Sequence, residues 1–101
     1  MKTIWKYDLP ICDMQGIDMP RGAEILSVQM QGNQGAKLWV LVDPSKPKVN
    51  RTIIIHGTGH PVLQPENKKF IGTIQIDDGA LVFHVFSLRD ENINPCTTKE
   101  E

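Results

Sequence analysis

Cysteine is scarce in this chain: Cys12 and Cys96 are the only two in 101 residues, and they form no CxxC pair. Neither a disulfide framework nor a cysteine-based zinc site is indicated. Aromatic residues make up 6%, few for a β-barrel that binds nucleic acid by stacking bases on exposed rings. Charge of one sign is not in excess either. Eleven Lys and Arg stand against 12 Asp and Glu, a formal net charge of −1, so no overall field draws the molecule toward nucleic acid or an anionic membrane. Apolar runs such as Ile53-Ile54-Ile55 and Ala80 to Phe83 fall far short of the ~20 residues of a membrane-spanning helix. Met1-Lys2-Thr3-Ile4-Trp5 lacks the apolar stretch and small-residue cleavage site of a secretory leader. A cytoplasmic protein with no membrane partner and no cofactor is the expectation.

What is present suffices for one core. Hydrophobic residues are 40% of the chain, and a domain of this size buries roughly 65% of its unfolded surface. A doubly wound nucleotide enzyme is excluded by length. Period-two alternation and β-branched residues dominate, and no segment sustains the i, i+3, i+4, i+7 pattern of an amphipathic helix. The pattern predicts an all-β fold, a small antiparallel barrel or sandwich of six to seven strands, with a single domain over 1–88 and a flexible tail over 89–101.

The first strand is expected at Lys2 to Asp8, with Trp5, Tyr7 and Leu9 on one face, and Pro10 ends it. Ile11 to Met19 reads as a short extended piece before the Pro20-Arg21-Gly22 turn. In Glu24 to Gln31, Leu26, Val28 and Met30 alternate with Ser27, Gln29 and Gln31, the mark of a sheet with one wet face. Gly32-Asn33-Gln34-Gly35 predicts a hairpin into Ala36 to Asp43, and Asp77-Asp78-Gly79 predicts another between Lys69 to Ile76 and Ala80 to Ser87. Leu38 to Val42 and Arg51 to His56 are apolar on both faces and read as central strands. A chain this small cannot cover so many two-faced strands by itself, so a homo-oligomer is expected. Most of Trp5, Tyr7, Trp39, Phe70, Phe83 and Phe86 are expected in the core.

The most distinctive segment is Ile55-His56-Gly57-Thr58-Gly59-His60-Pro61. Two glycines one residue apart permit backbone conformations that turn successive N–H groups toward one point, an anion-binding nest. The hydroxyl of Thr58 and the imidazoles of His56 and His60 add donors. Lys46, Lys48, Arg51, Lys68 and Lys69 against Glu66 give positions 44–69 a local excess of four positive charges. The expected ligand site is therefore His56, Gly57, Thr58, Gly59, His60, Arg51, Lys68 and Lys69, holding a phosphorylated or otherwise anionic small molecule. The plain alternative is a Gly-Thr-Gly turn leaving a strand, because the segment lacks both the GxGxxG context and the Lys-Ser/Thr of a P-loop.

Metal ligation has weaker support. His56, His60 and His84 are the only histidines, and no spacing places them on one surface. No Gly-x-Ser-x-Gly elbow, HExxH motif or cysteine beside a base is present, so no catalytic residue is assigned and a non-enzyme is expected.

In Lys2-Thr3-Ile4-Trp5-Lys6-Tyr7, Met19 to Gln29, Leu38 to Pro44, Ile55 to Pro61, Phe70-Ile71-Gly72-Thr73 and Leu81 to Phe86, the chain resembles a family of short phage and prophage proteins of unassigned function. The resemblance spans Lys2 to Phe86 and implies a phage genome, hence action inside a host cell. It carries no residue roles. Within that setting the expectation is a non-catalytic counter-defence protein that captures a phosphorylated signal such as a nucleotide. One alternative is an inhibitor of a host defence complex whose acidic residues Asp8, Asp13, Asp18 and Glu24 imitate nucleic acid. The other is a phosphoesterase using His56 and His60.

Overall fold

A computed structural model describes residues 1–89. Within them lie seven strands, β1 (Thr3–Asp8), β2 (Met14–Pro20), β3 (Glu24–Met30), β4 (Ala36–Val42), β5 (Lys48–Gly57), β6 (Lys68–Ile76) and β7 (Leu81–Leu88), with one 3-10 turn at Pro65–Asn67. All pair antiparallel, in a three-stranded sheet of order β1-β4-β3 and a four-stranded sheet of order β2-β5-β7-β6. The two sheets pack as an open sandwich, so the fold class is all-β as the alternation predicts, without barrel closure. Most of the tail expectation, from residue 90 on, lies outside the described residues. Arg89 is tied down by its amide, which donates to the Asn67 carbonyl at 2.9 Å. Among the described residues no helix is long and apolar enough to cross a membrane.

Both hairpins form where the turn chemistry predicts. Gly32 and Gly35 take positive φ between β3 and β4, and Asp77, Asp78 and Gly79 do so between β6 and β7. The two-faced strands are central, as expected: β4 lies between β1 and β3, and β5 between β2 and β7. Leu38, Val40, Val42, Ile53, Val85 and Met19 are the largest aliphatic side chains with less than 2% exposure, each stabilising the fold by roughly 1.5–3 kcal/mol through apolar burial.

Two face assignments need correction. Leu26 is exposed rather than inward, because a bulge between Ile25 and Ser27 adds a residue and shifts the alternation, leaving Ile25 and Val28 on the core side. Phe70 is 55% exposed, and Phe86 leans on it from the neighbouring strand with centroids 5.5 Å apart. Both stand on the outer face, because side chains alternate along β7 and the core side belongs to Phe83 and Val85.

The sheets meet where β3 packs on β6. A Cβ at Gly72 would lie 2.9 Å from Val28 Cγ1, so glycine is what allows the two backbones to approach there.

Candidate functional site

Gly57 is the last residue of β5 and pairs with Phe83. Its φ is not in the left-handed region, whereas Gly59 turns at φ +91°. The strand ladder therefore continues into the loop and takes its amides: Thr58 N–H donates to the Val82 carbonyl at 3.3 Å, and His60 N–H donates to the Gly57 carbonyl at 3.1 Å. The His60 ring lies over Gly57, where a Cβ would sit 3.1 Å from Cε1. Beside the loop is a hollow of about 340 Å³ that includes Thr58, His60, Leu81 and Phe83 and has no Lys or Arg in its wall. Two of the amides expected to converge on an anion thus already serve backbone acceptors, and none of the expected Arg51, Lys68 and Lys69 lines the hollow beside them.

The Thr58 hydroxyl is also engaged. Its Oγ1 is 2.7 Å from Nε2 of His84, whose Nδ1 is 3.0 Å from Thr73 Oγ1. His84 faces His56 across the β5–β7 pair, and the His56 ring packs edge-on to Phe86 with centroids 5.6 Å apart. His60 lies on the side toward which a Gly57 Cβ would point, opposite to the side of its strand neighbour His56. His56 and His60 therefore do not share a surface. Among the described residues no group of three or more His, Cys, Asp or Glu is placed to hold a metal ion.

The basic residues separate as well. Lys68 turns its ammonium to the Leu63 carbonyl. Arg51 lies six positions before Gly57 on β5, about 20 Å away at a rise of about 3.3 Å per residue. Arg51 and Lys69 do come together, in a cleft of about 360 Å³ between the β2–β3 turn and the adjacent ends of β5, β6 and β7. Arg89 joins them, and Ser87, Gly22 and Ala23 complete the nearby wall, with Glu24 its one carboxylate. Arg51 is 7% exposed, and its Nη1 donates to the Ala23 carbonyl at 3.0 Å, which fixes the guanidinium against the turn. Lys69 is opposite Ser87 in the β6–β7 ladder.

Arg89, Ser87 and the Gly22-Ala23 turn were not legible as site residues. Arg89 falls where the apolar period ends, and only the pairing of β7 between β5 and β6 brings it beside Arg51. Chemically, the cleft joins two guanidinium groups, whose planar forks match phosphate or carboxylate oxygens, with the single ammonium of Lys69. Its volume lies at the small end of the usual ligand-pocket range.

Two of the four acidic residues, Asp8 and Asp18, are not brought together by strand pairing. Asp8 is on β1 of one sheet and Asp18 on β2 of the other. Asp8 is held by Lys37 at 2.5 Å, and this hydrogen bond, reinforced by the Lys37 charge, keeps its carboxyl below the usual carboxylate range. Asp18 accepts from Asn50 Nδ2 at 3.0 Å.

A family model described as a domain of unknown function (DUF7352) matches residues 1–95. The chain belongs to the DUF7352 family. No curated protein matches it, and no solved structure does. The family description names no ligand or reaction, so residue roles for this DUF7352 chain come from its own geometry.

Proposed function

We propose that the chain is a non-catalytic binding protein that holds a phosphorylated small molecule, such as a nucleotide, in the cleft of Arg51, Lys69 and Arg89. The observation that carries this reading is the meeting of three cationic side chains, from β5, β6 and the residue that follows β7, in one cleft whose wall has a single carboxylate. A positively charged concave site concentrates anionic ligands, and a guanidinium fixed by a second hydrogen bond loses little freedom on binding. The resemblance to phage proteins supports a host signal nucleotide as the ligand and action in the host cytoplasm. Of the residues expected around the Gly-Thr-Gly loop, Arg51 and Lys69 belong to this cleft.

Thermal melting with a panel of cyclic and linear nucleotides tests the proposal. At a ligand concentration of about ten times Kd, binding to the native state adds roughly 1.4 kcal/mol, a rise of about 6 to 11 °C for a domain of this size. The rise is expected to disappear in Lys69→Ala/Arg89→Ala, both exposed positions, and to persist in Thr58→Ala. No shift with any phosphorylated ligand overturns the proposal, and a shift lost in Thr58→Ala but kept in the double variant moves the site back to the loop.

A further inference from the structure

The outer face of the four-stranded sheet carries one continuous apolar row. Met14 pairs with Ile54, Ile54 with Phe86, and Phe86 with Phe70, so the row crosses β2, β5, β7 and β6 at one level. Met14 at its first end is 65% exposed and Phe70 at its last end is 55% exposed. Ile54 is 7% exposed yet stands apart from the core cluster, which contains its neighbours Ile53 and Ile55. A second apolar layer therefore lies outside the sandwich, and the described residues leave its two ends in solvent.

We infer that this face is a self-association surface on which a second copy of the chain docks about a two-fold axis running along the strands, midway between β5 and β7. That axis reverses the strand order, laying β6 of the second copy over β2 and β7 over β5. Met14 then meets the second copy's Phe70, and Ile54 meets its Phe86, so the row is complementary to itself. The contact at each end is a thioether against an aromatic ring, a favourable pairing. Charge agrees with the same axis. Asp18 on β2 and Lys68 on β6, which within the chain contact Asn50 and the Leu63 carbonyl, lie toward the same end of the face, on its opposite edges, and the rotation brings each to about two residues along the strand from its opposite charge on the other copy. A two-fold interface requires such self-matching.

The face measures about 20 Å across four strands and about 23 Å along seven residues, roughly 450 Å² per copy, below the ~800 Å² of a standard interface. The dimer is accordingly expected to be a reversible one, with a midpoint in the micromolar range. It is independent of the cleft, which opens between strand ends rather than on this face.

Sedimentation velocity from low micromolar to about 0.5 mM, with folding of each variant checked by circular dichroism, tests the inference. The expected result is a monomer that becomes a dimer with concentration, and loss of the dimer in both Met14→Glu and Phe70→Glu. In a Cys12→Ser/Cys96→Ser background, treating a mixture of Met14→Cys and Phe70→Cys chains with a bismaleimide of about 8 Å span, matched to sheets about 10 Å apart face to face, is expected to join the two. Each chain then carries a single thiol, so every cross-link is one between chains. A chain that stays monomeric throughout, a dimer indifferent to both glutamates, or cross-linking of Phe70→Cys chains only with one another overturns it.

Discussion

The seam between β3 and β6 decides whether the cleft exists, because Ile25 and Ile71, one from each strand, are both in its wall. Gly72→Ala puts a methyl group 2.9 Å from Val28 Cγ1, and Val28 is 6% exposed, so the neighbour has little room to move. Overpacking of this kind costs about 1–3 kcal/mol, offset by roughly 0.5–1 kcal/mol gained from replacing a strand glycine. The net loss is about 1 kcal/mol, a fall of about 4 to 8 °C in Tm. Val28→Ala removes two carbons and leaves a void, costing roughly 2 kcal/mol. In the double variant the new methyl occupies part of that void, so the expectation is a molecule no less stable than Val28→Ala, with a coupling of roughly 1 to 2 kcal/mol. Urea denaturation of the four proteins, with midpoint and slope both recorded, measures it. A neutral or stabilising Gly72→Ala, or strictly additive effects, refutes the close approach of the two sheets.

Asp8 has a folded-state pKa below the ordinary value, caused first by the Lys37 hydrogen bond and then by its charge. Its contribution is complete above the unfolded value of about 3.9 and is lost as pH falls through the lower folded value. Melting curves between pH 6 and pH 2.5, about the range where a carboxylate of this kind titrates, should show a shallower acid loss for Asp8→Asn than for the parent, and equal slopes contradict the pairing. Gly59 has φ +91° and open space where a Cβ would stand, so Gly59→Ala is expected to cost roughly 1–2 kcal/mol from backbone strain alone. A Tm unchanged by that substitution shows that the loop does not hold this conformation.

The strands and hairpins were legible because their signals are local: alternation marks each strand, and Gly32, Gly35 and Asp77-Asp78-Gly79 mark the turns. The face of Leu26 was not, since a one-residue bulge depends on the partner strand and leaves no trace in hydrophobic pattern. Phe70 and Phe86 are exceptions to the expectation that most aromatics lie in the core, because alternation along β6 and β7 tells which residues share a face and not which face is outermost. For the site, adjacency in sequence placed Arg51, Lys68 and Lys69 with the Gly-Thr-Gly loop, but extended strands carry neighbours apart. Register then joins Lys69 to Ser87 and directs Lys68 elsewhere. Arg89 required the topology, because its place beside Arg51 follows from strand order and not from composition.

Whether Arg51, Lys69 and Arg89 hold an anion is decided by following backbone amide signals in NMR while pyrophosphate and then a nucleotide panel are titrated in. Saturable shifts at positions 22–25, 69 and 87–89, diminished by added salt, are the predicted result. Shifts confined to positions 57–60, or none with any of these ligands up to millimolar concentration, contradict it.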